Sequence, residues 1–251
     1  YGNESQGMVL ALVYLVAGTV LTAYLWHTGV MSRRIILALA AESALAGFVF
    51  LAPIMPLEFI GLVNTITGMS TPTAGIVILC GVIAVTFITG RTFCGHICPV
   101  GSLQELVYAV PVKKIAIRHT EYPELARLGV FIVTVIAAIC VVDLMAYTGL
   151  YELFSLAVSA VLVIALGLVM LSVFLYRPVC RLICPFGVLF SIPAEFSRFR
   201  LRRNNACISC KKCEKACPVH IAGKDDAKRE CYLCGRCTGS CPVETAISYR
   251  S

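Results

Sequence analysis

Residues 207–218 read CISCKKCEKACP, and residues 231–242 read CYLCGRCTGSCP. Each follows C-x2-C-x2-C-x3-C-P, the bacterial run that builds two [4Fe–4S] clusters. Three thiolates on a tight loop cap three irons of one cube. The fourth cysteine, set apart by the x3 gap and turned by proline, ligates the other cube. The spacing therefore assigns Cys207, Cys210, Cys213 and Cys241 to one cluster, and Cys231, Cys234, Cys237 and Cys217 to a second. A pair of four-cysteine zinc sites is the bland alternative, since C-x2-C is also zinc spacing. Zinc has no use for the crossed pattern or for the two Cys-Pro endings. Clustering at short fixed intervals also points away from a disulfide framework.

A second cysteine pattern occurs twice. RTFCGHICPVG, Arg91 to Gly101, aligns with RPVCRLICPFG, Arg177 to Gly187, with a basic residue three places before each cysteine pair. Positions i and i+4 share one side of a helical turn, so both thiols of a pair face the same way. Proline then ends or redirects that turn. Cys94, Cys98, Cys180 and Cys184 are candidate ligands of a third metal centre, another [4Fe–4S] cluster. Structural thiols and redox-active thiol pairs are the alternatives. His96 does not complete the C-x-x-C-H of c-type haem.

The elements that must position these residues are apolar. Of 251 residues, 59% are hydrophobic and 14% charged, where ordinary soluble domains carry about 25% charged residues. Mean hydropathy is +0.86. These values predict an α-helical membrane protein: a five-span helical bundle over 1–200, with a small C-terminal α+β two-cluster ferredoxin domain over 201–251. The expected spans are about 8–26, 35–54, 74–89, 128–147 and 156–176, each near the ~20 residues a crossing needs. Leu57 to Gly68 reads as an interfacial or re-entrant piece, and the motifs at 94–99 and 180–185 follow spans three and five. The 21 Lys and Arg residues alternate with this scheme as the positive-inside rule requires. That places the N-terminus outside and the ferredoxin domain in the cytoplasm, in a multi-pass protein of the inner (cytoplasmic) membrane. The net charge of +7 then reads as attraction to anionic membrane lipid. Without aromatic-basic interleaving or a nucleic-acid module, nucleic acid is excluded as a partner. The chain opens at Tyr1 rather than Met, so an initiator segment is expected to be missing or removed, and no signal-peptide pattern opens it.

Glu42 falls inside the second expected span, where an ionisable side chain is a candidate proton acceptor or quinone-headgroup partner. His27, ending the first span, is a weaker quinone or haem candidate. No histidines stack on different spans as a dihaem site would require. Cys80 and Cys140 read as small apolar packing residues. Asp143 and Glu152 read as loop residues, and Pro111 to Gly129 as a charged connector.

Two resemblances follow from these residues. Asn205 to Ser251 resembles the two-cluster bacterial ferredoxins. From about Ala74 onwards, the two C-x3-C-P motifs followed by the ferredoxin run are similar to the NapH/NosR-type membrane polyferredoxins. That second resemblance implies electron traffic between the quinone pool or cytoplasmic carriers and partner redox proteins, with a cytochrome or iron–sulfur subunit as partner. It implies a subunit of a quinol dehydrogenase, whose important residues are cofactor ligands rather than catalytic side chains. An assembly factor supplying electrons to another metalloenzyme, and metal-ion reduction by the C-x3-C-P thiols, are the other functions compatible with the motifs.

Overall fold

Glycines, prolines and polar caps decide where the apolar stretches stop being helical. The computed structural model describes residues 2–51, 59, 61, 63–64, 68, 74–115, 117, 121–140, 142–224, 226–243 and 246–250. Helix α1 (Gly2–His27) closes at Gly29, whose φ of +73° suits a residue without a Cβ. Helix α2 (Arg33–Ala46) starts under a Ser32 side-chain cap on the Ile35 N–H and runs into a π-turn, Gly47–Leu51. Helix α3 (Ala74–Thr89) stops at Gly90, with φ +72°.

Two copies of one unit then form the centre. In the first, α3 leads through a π-turn, Phe93–Ile97, into α4 (Pro99–Tyr108). The second unit begins beyond α5 (Glu121–Ile139), a 3-10 turn at Ala146–Thr148 and the short α6 (Leu150–Ser155). There α7 (Leu162–Phe174) leads through a π-turn, Val179–Ile183, into α8 (Phe186–Glu195). The units exchange partners, α3 packing on α8 and α4 on α7. That reciprocal packing sets the two π-turns face to face. A core of Phe59, Leu79, Val82, Phe93, Ile97, Phe186 and Phe190 fills the space beside them.

The C-terminal segment is closed by two antiparallel strands, β1 (Arg200–Arg203) and β2 (Ile247–Arg250), with Leu201 opposite Tyr249. Between them lie the short helices α9 (Lys212–Ala216) and α10 (Arg236–Gly239). The segment docks on the ends of α1 and α2 through buried Trp26, Met31, Ile36, Leu201, Leu233 and Tyr249. The Tyr249 hydroxyl donates to the Thr89 carbonyl at 2.7 Å.

A five-span bundle is not what the fold contains. Among the described residues, only α5 is long and apolar enough to cross a membrane. Helices α2, α3 and α7, with 14, 16 and 13 residues, reach only about 20–24 Å at 1.5 Å per residue, against a hydrocarbon layer of ~30 Å. In α1 the apolar part described is Leu12–His27. The hydropathy windows had merged helix with turn. The second window runs through the π-turn at Gly47, and its end at 52–54 lies outside the described residues. The first residues of the fifth precede α7, with Leu156 in the left-handed region at φ +56°. The fourth is displaced: α5 starts at Glu121, inside the expected connector Pro111 to Gly129, and ends at Ile139. The five-crossing topology goes with the bundle. Leu57 to Gly68 falls mostly outside the described residues.

Apolar side chains nevertheless cover the outer helix faces. Val13, Val16 and Val20 on α1, Ile132, Val133 and Ile136 on α5, and Val163, Ile164 and Met170 on α7 are all exposed. So much outward apolar surface marks a contact with lipid or protein.

Candidate functional site

The repeated motif folds in the same way twice. In each copy the second cysteine's N–H bonds five residues back, Cys98 to the Phe93 carbonyl and Cys184 to the Val179 carbonyl, both at 2.8 Å. A π-turn of this kind widens the helix and often marks a functional site. Pro99 and Pro185 then open α4 and α8, where a missing N–H costs nothing. The glycine of C-P-x-G has a packing reason. A Cβ on Gly187 would come within 2.9 Å of the Cys180 carbonyl, and one on Gly101 would overlap the Cys94 carbonyl. Each second helix thus backs directly onto the first cysteine of its own motif. The result is one apolar cavity of about 70 Å³ lined by all four thiols, Cys94, Cys98, Cys180 and Cys184. The Gln104 amide donates to the Cys180 sulfur at 3.3 Å, while its carbonyl oxygen accepts from the Val179 N–H.

The ferredoxin-like loops carry a second repeat, which is conformational. Ser209 and Lys211 in the first loop, and Leu233 and Gly235 in the second, all have positive φ, at matching places between the cysteines. Alternating left-handed residues turn successive N–H groups inward, forming the concave nests that bind anions and iron–sulfur centres. Three of these four are not glycine, a strain kept where function requires it. Cys217, Cys231, Cys234 and Cys237 line one cavity of about 40 Å³, the crossed set expected from the spacing. In the other set Cys213 is buried and Cys210 exposed, while the Cys241 thiol donates to the Val243 carbonyl. Arg203 lies beside this set, paired with Glu214 at 2.7 Å.

The donor set suits clusters better than a lone ion. Among the described residues, no three His, Cys, Asp or Glu side chains converge closely enough to hold one metal ion. A cube takes each thiolate at a different corner, so its ligands stand further apart. Burial pushes the Cys98 thiol up to about 11, and both Cys184 and Cys231 up to about 12.

Tyr232 joins the two cavities, lining both. Arg91 and Arg177 lie 5.1 and 5.0 Å from its ring centroid, within cation–π range. Its hydroxyl accepts from Arg91 and donates to Glu230. Glu230 also pairs with Arg91 at 2.7 Å and with Arg127 at 2.8 Å. Glu105, on α4, is fully buried and holds Arg33, Arg177 and Arg236 at 2.7, 3.2 and 2.8 Å. Arg91 reaches across to the Gly187 carbonyl, and Arg177 to the Cys94 and Gly95 carbonyls, so each motif's arginine clasps the other motif. His96 accepts from the Trp26 indole N–H at 3.2 Å. Burial, with Arg177 nearby, lowers this histidine to about 4, so it is neutral at physiological pH.

Burial alone would raise the Glu105 carboxyl, but Arg177, Arg236 and Arg33 hold it down at about 2. A depressed carboxyl contributes stability above its unfolded value and loses it as pH falls toward the folded one. Thermal stability should therefore hold from neutrality to about pH 4.5 and decline below it, the full loss amounting to about 3 kcal/mol. Melting curves against pH for wild type and Glu105→Gln check this, the variant starting lower and declining less. Gly95 gives a second expectation. A Cβ there would overlap the Tyr232 carbonyl, so Gly95→Ala should lower stability by about 1–3 kcal/mol, as overpacking does, measured by denaturant unfolding.

The other candidates stand elsewhere. Glu42 is exposed on α2 and accepts from the Tyr14 hydroxyl at 3.0 Å. His27 is exposed at the end of α1, edge-on to Phe199. Neither lines a cavity described here, and they are not brought together. Cys80 and Cys140 are exposed rather than packed inside. Asp143 caps the 3-10 turn by accepting from the Met145 and Ala146 N–H groups. Glu105, Glu230, Gln104 and Tyr232 went unnoticed in the sequence. The polar pair Gln104-Glu105 in an otherwise apolar helix was the one local signal.

The 4Fe-4S binding domain family matches residues 71–118 and 158–204, each segment containing one C-x3-C-P motif. Together with the relatives below, these matches support an iron–sulfur protein of the polyferredoxin type. An uncharacterized protein of Methanocaldococcus jannaschii is 34% identical over 148 residues, covering 55% of this chain and 56% of the relative. YccM of Escherichia coli K12, named as a candidate electron transport protein, is 26% identical over 241 residues, covering 87% and 65%. NirI of Paracoccus denitrificans is 29% identical over 143 residues, covering 51% of this chain and 21% of NirI. The chain thus spans less than two thirds of the length of these relatives. No solved structure matches it.

Proposed function

We propose that this chain is a polyferredoxin that carries three [4Fe–4S] clusters and passes electrons between its C-terminal pair and a redox partner at the membrane. Cys207, Cys210, Cys213 and Cys241 would hold one cluster, Cys217, Cys231, Cys234 and Cys237 the second, and Cys94, Cys98, Cys180 and Cys184 the third. The clusters supply one-electron chemistry, and the protein supplies burial, hydrogen bonds to sulfur and fixed charge, which set the potentials. The observation that carries the reading is the convergence of four cysteines from two repeats on one apolar cavity, with Tyr232 lining both it and the Cys231 cavity. The domain division at about residue 200 follows, with the repeats forming the membrane-side unit.

Apolar faces of α1, α5 and α7 would lie against lipid, and electrons would leave the Cys94 cavity for a partner subunit or for quinone in the bilayer. Exposed Glu42 and His27 contribute no enclosed quinone site to this reading. The named character of YccM agrees with electron transport. Metal-ion reduction by the C-x3-C-P thiols fits less well, because the cavity they line is apolar and ill suited to a hydrated ion.

Iron and acid-labile sulfide per chain, measured on anaerobically purified protein, test the reading. About twelve irons should fall to about eight in Cys94→Ser with Cys180→Ser, since each cube holds four. Eight in both proteins would remove the third cluster.

A further inference from the structure

Buried charge around the two cavities does not balance. Arg33, Arg177 and Arg236 share Glu105, and Arg91 and Arg127 share Glu230. Arg181, in the second motif, is buried as well. Arg33 and Arg236 are partly exposed, at 28% and 18%, but Arg91, Arg127, Arg177 and Arg181 are buried, so four buried guanidinium groups face the two carboxylates. Uncompensated charge of this kind is costly in an apolar interior. An oxidised cube with four thiolate ligands is a dianion, so a cluster in either cavity would bring negative charge to these cations.

Two of the arginines are placed for more than neutrality. Arg91 forms part of the Cys94 cavity wall, with none of its side chain exposed. Arg177, equally buried, grips the carbonyls of Cys94 and Gly95. They occupy equivalent places, three residues before each cysteine pair, and each crosses to the other repeat. Their positions relative to the four thiols are therefore fixed by both repeats at once, and water does not screen them.

Resting on the three-cluster reading, we infer that Arg91 and Arg177 set the reduction potential of the cluster held by Cys94, Cys98, Cys180 and Cys184, as fixed cations matched to its negative charge. Reduction adds one electron to a centre that is already anionic. Nearby unscreened cations stabilise the reduced form more than the oxidised form and make the potential less negative. Arg91 is held by Glu230, the residue preceding Cys231, which ties the charge at one cavity to the loop lining the other. The arginines act through charge and position and take no part in the electron transfer itself.

The test is a redox titration with dithionite, followed by electron paramagnetic resonance, on the full chain. Wild type is compared with Arg91→Gln, Arg91→Lys and the double variant Arg91→Gln with Glu230→Gln. At fixed ambient potential, Arg91→Gln should lower the reduced-to-oxidised ratio of the Cys94-cavity cluster about tenfold, which is 59 mV for a one-electron couple. Arg91→Lys keeps the charge and should stay near wild type. The double variant removes one positive and one negative charge and should also return toward wild type, a recovery that a merely structural role would not produce. An unchanged ratio in Arg91→Gln with the iron content retained overturns the inference. So does loss of the cluster from Arg91→Gln and Arg91→Lys alike, because the arginine is then a clasp and not a charge. Wild-type protein with only two clusters overturns the three-cluster reading instead, so the two failures are distinguishable.

Discussion

Glu230→Gln should destabilise the folded chain by about 3–5 kcal/mol, the cost of breaking a buried ion pair from one side. Glu230 is the counter-charge of both Arg91 and Arg127, and its carboxylate also accepts from Tyr232. Glutamine keeps the shape and some hydrogen bonding but leaves two guanidinium groups without a negative partner. Because Arg127 belongs to α5 and Arg91 to the loop entering the first motif, the damage should extend well beyond the C-terminal segment. Denaturant unfolding of the cluster-loaded protein gives the difference. Adding Arg91→Gln should recover part of the loss, since the pair is then removed together. A change below about 1 kcal/mol in the single variant would mean that water reaches the network and screens it, as at surface pairs.

Cys217→Ser should remove the same cluster signal as Cys231→Ser, although 14 residues separate the two and Cys213 is far nearer in sequence. The thiols of Cys217, Cys231, Cys234 and Cys237 share one cavity, whereas Cys213 belongs with the residues beside Arg203. The x3 gap is taken up by the end of α9, after which Pro218 and the left-handed His220 (φ +55°) redirect the chain. Each of these two variants is expected to lose about four of the irons and one common spectroscopic component, and Cys213→Ser a different one. If Cys217→Ser instead removed the component lost in Cys213→Ser, the crossed ligand set would be overturned.

These two expectations draw on different levels of information. The crossed cysteine set could be written down from spacing alone, because a loop of C-x2-C-x2-C is too short to bring its own fourth thiol round to the cube it caps. The pairing of Cys94 with Cys180 was also legible, since RTFCGHICPVG and RPVCRLICPFG are one pattern repeated. Even the basic residue at Arg91 and Arg177 stood out. Its function did not, because a guanidinium and the carbonyl it grips lie more than eighty residues apart in sequence.

The helical scheme was legible only in part. Hydropathy located the apolar stretches but not the π-turn at Gly47, the late start of α7 beyond Leu156, or the early start of α5 at Glu121. Apolarity measures transfer out of water and says nothing of where the backbone turns. Arg127 shows the limit well. Read along the chain it belongs to a polar loop ahead of a span, yet in the fold it lies buried inside α5, paired with a carboxylate from the far end of the chain.

The sequence by itself therefore determined the candidate ligand sets: which thiols the spacing groups together, and that one motif occurs in two copies. Those properties are local, carried by short intervals, by proline and by glycine at positions that only a hydrogen atom fits. Tertiary structure alone decided the electrostatics. Glu105 gathers Arg33, Arg177 and Arg236 from three separate parts of the chain, and Glu230 gathers Arg91 and Arg127 from two more. Charge acts through space and through the exclusion of water, and neither distance nor dryness is written in the order of residues.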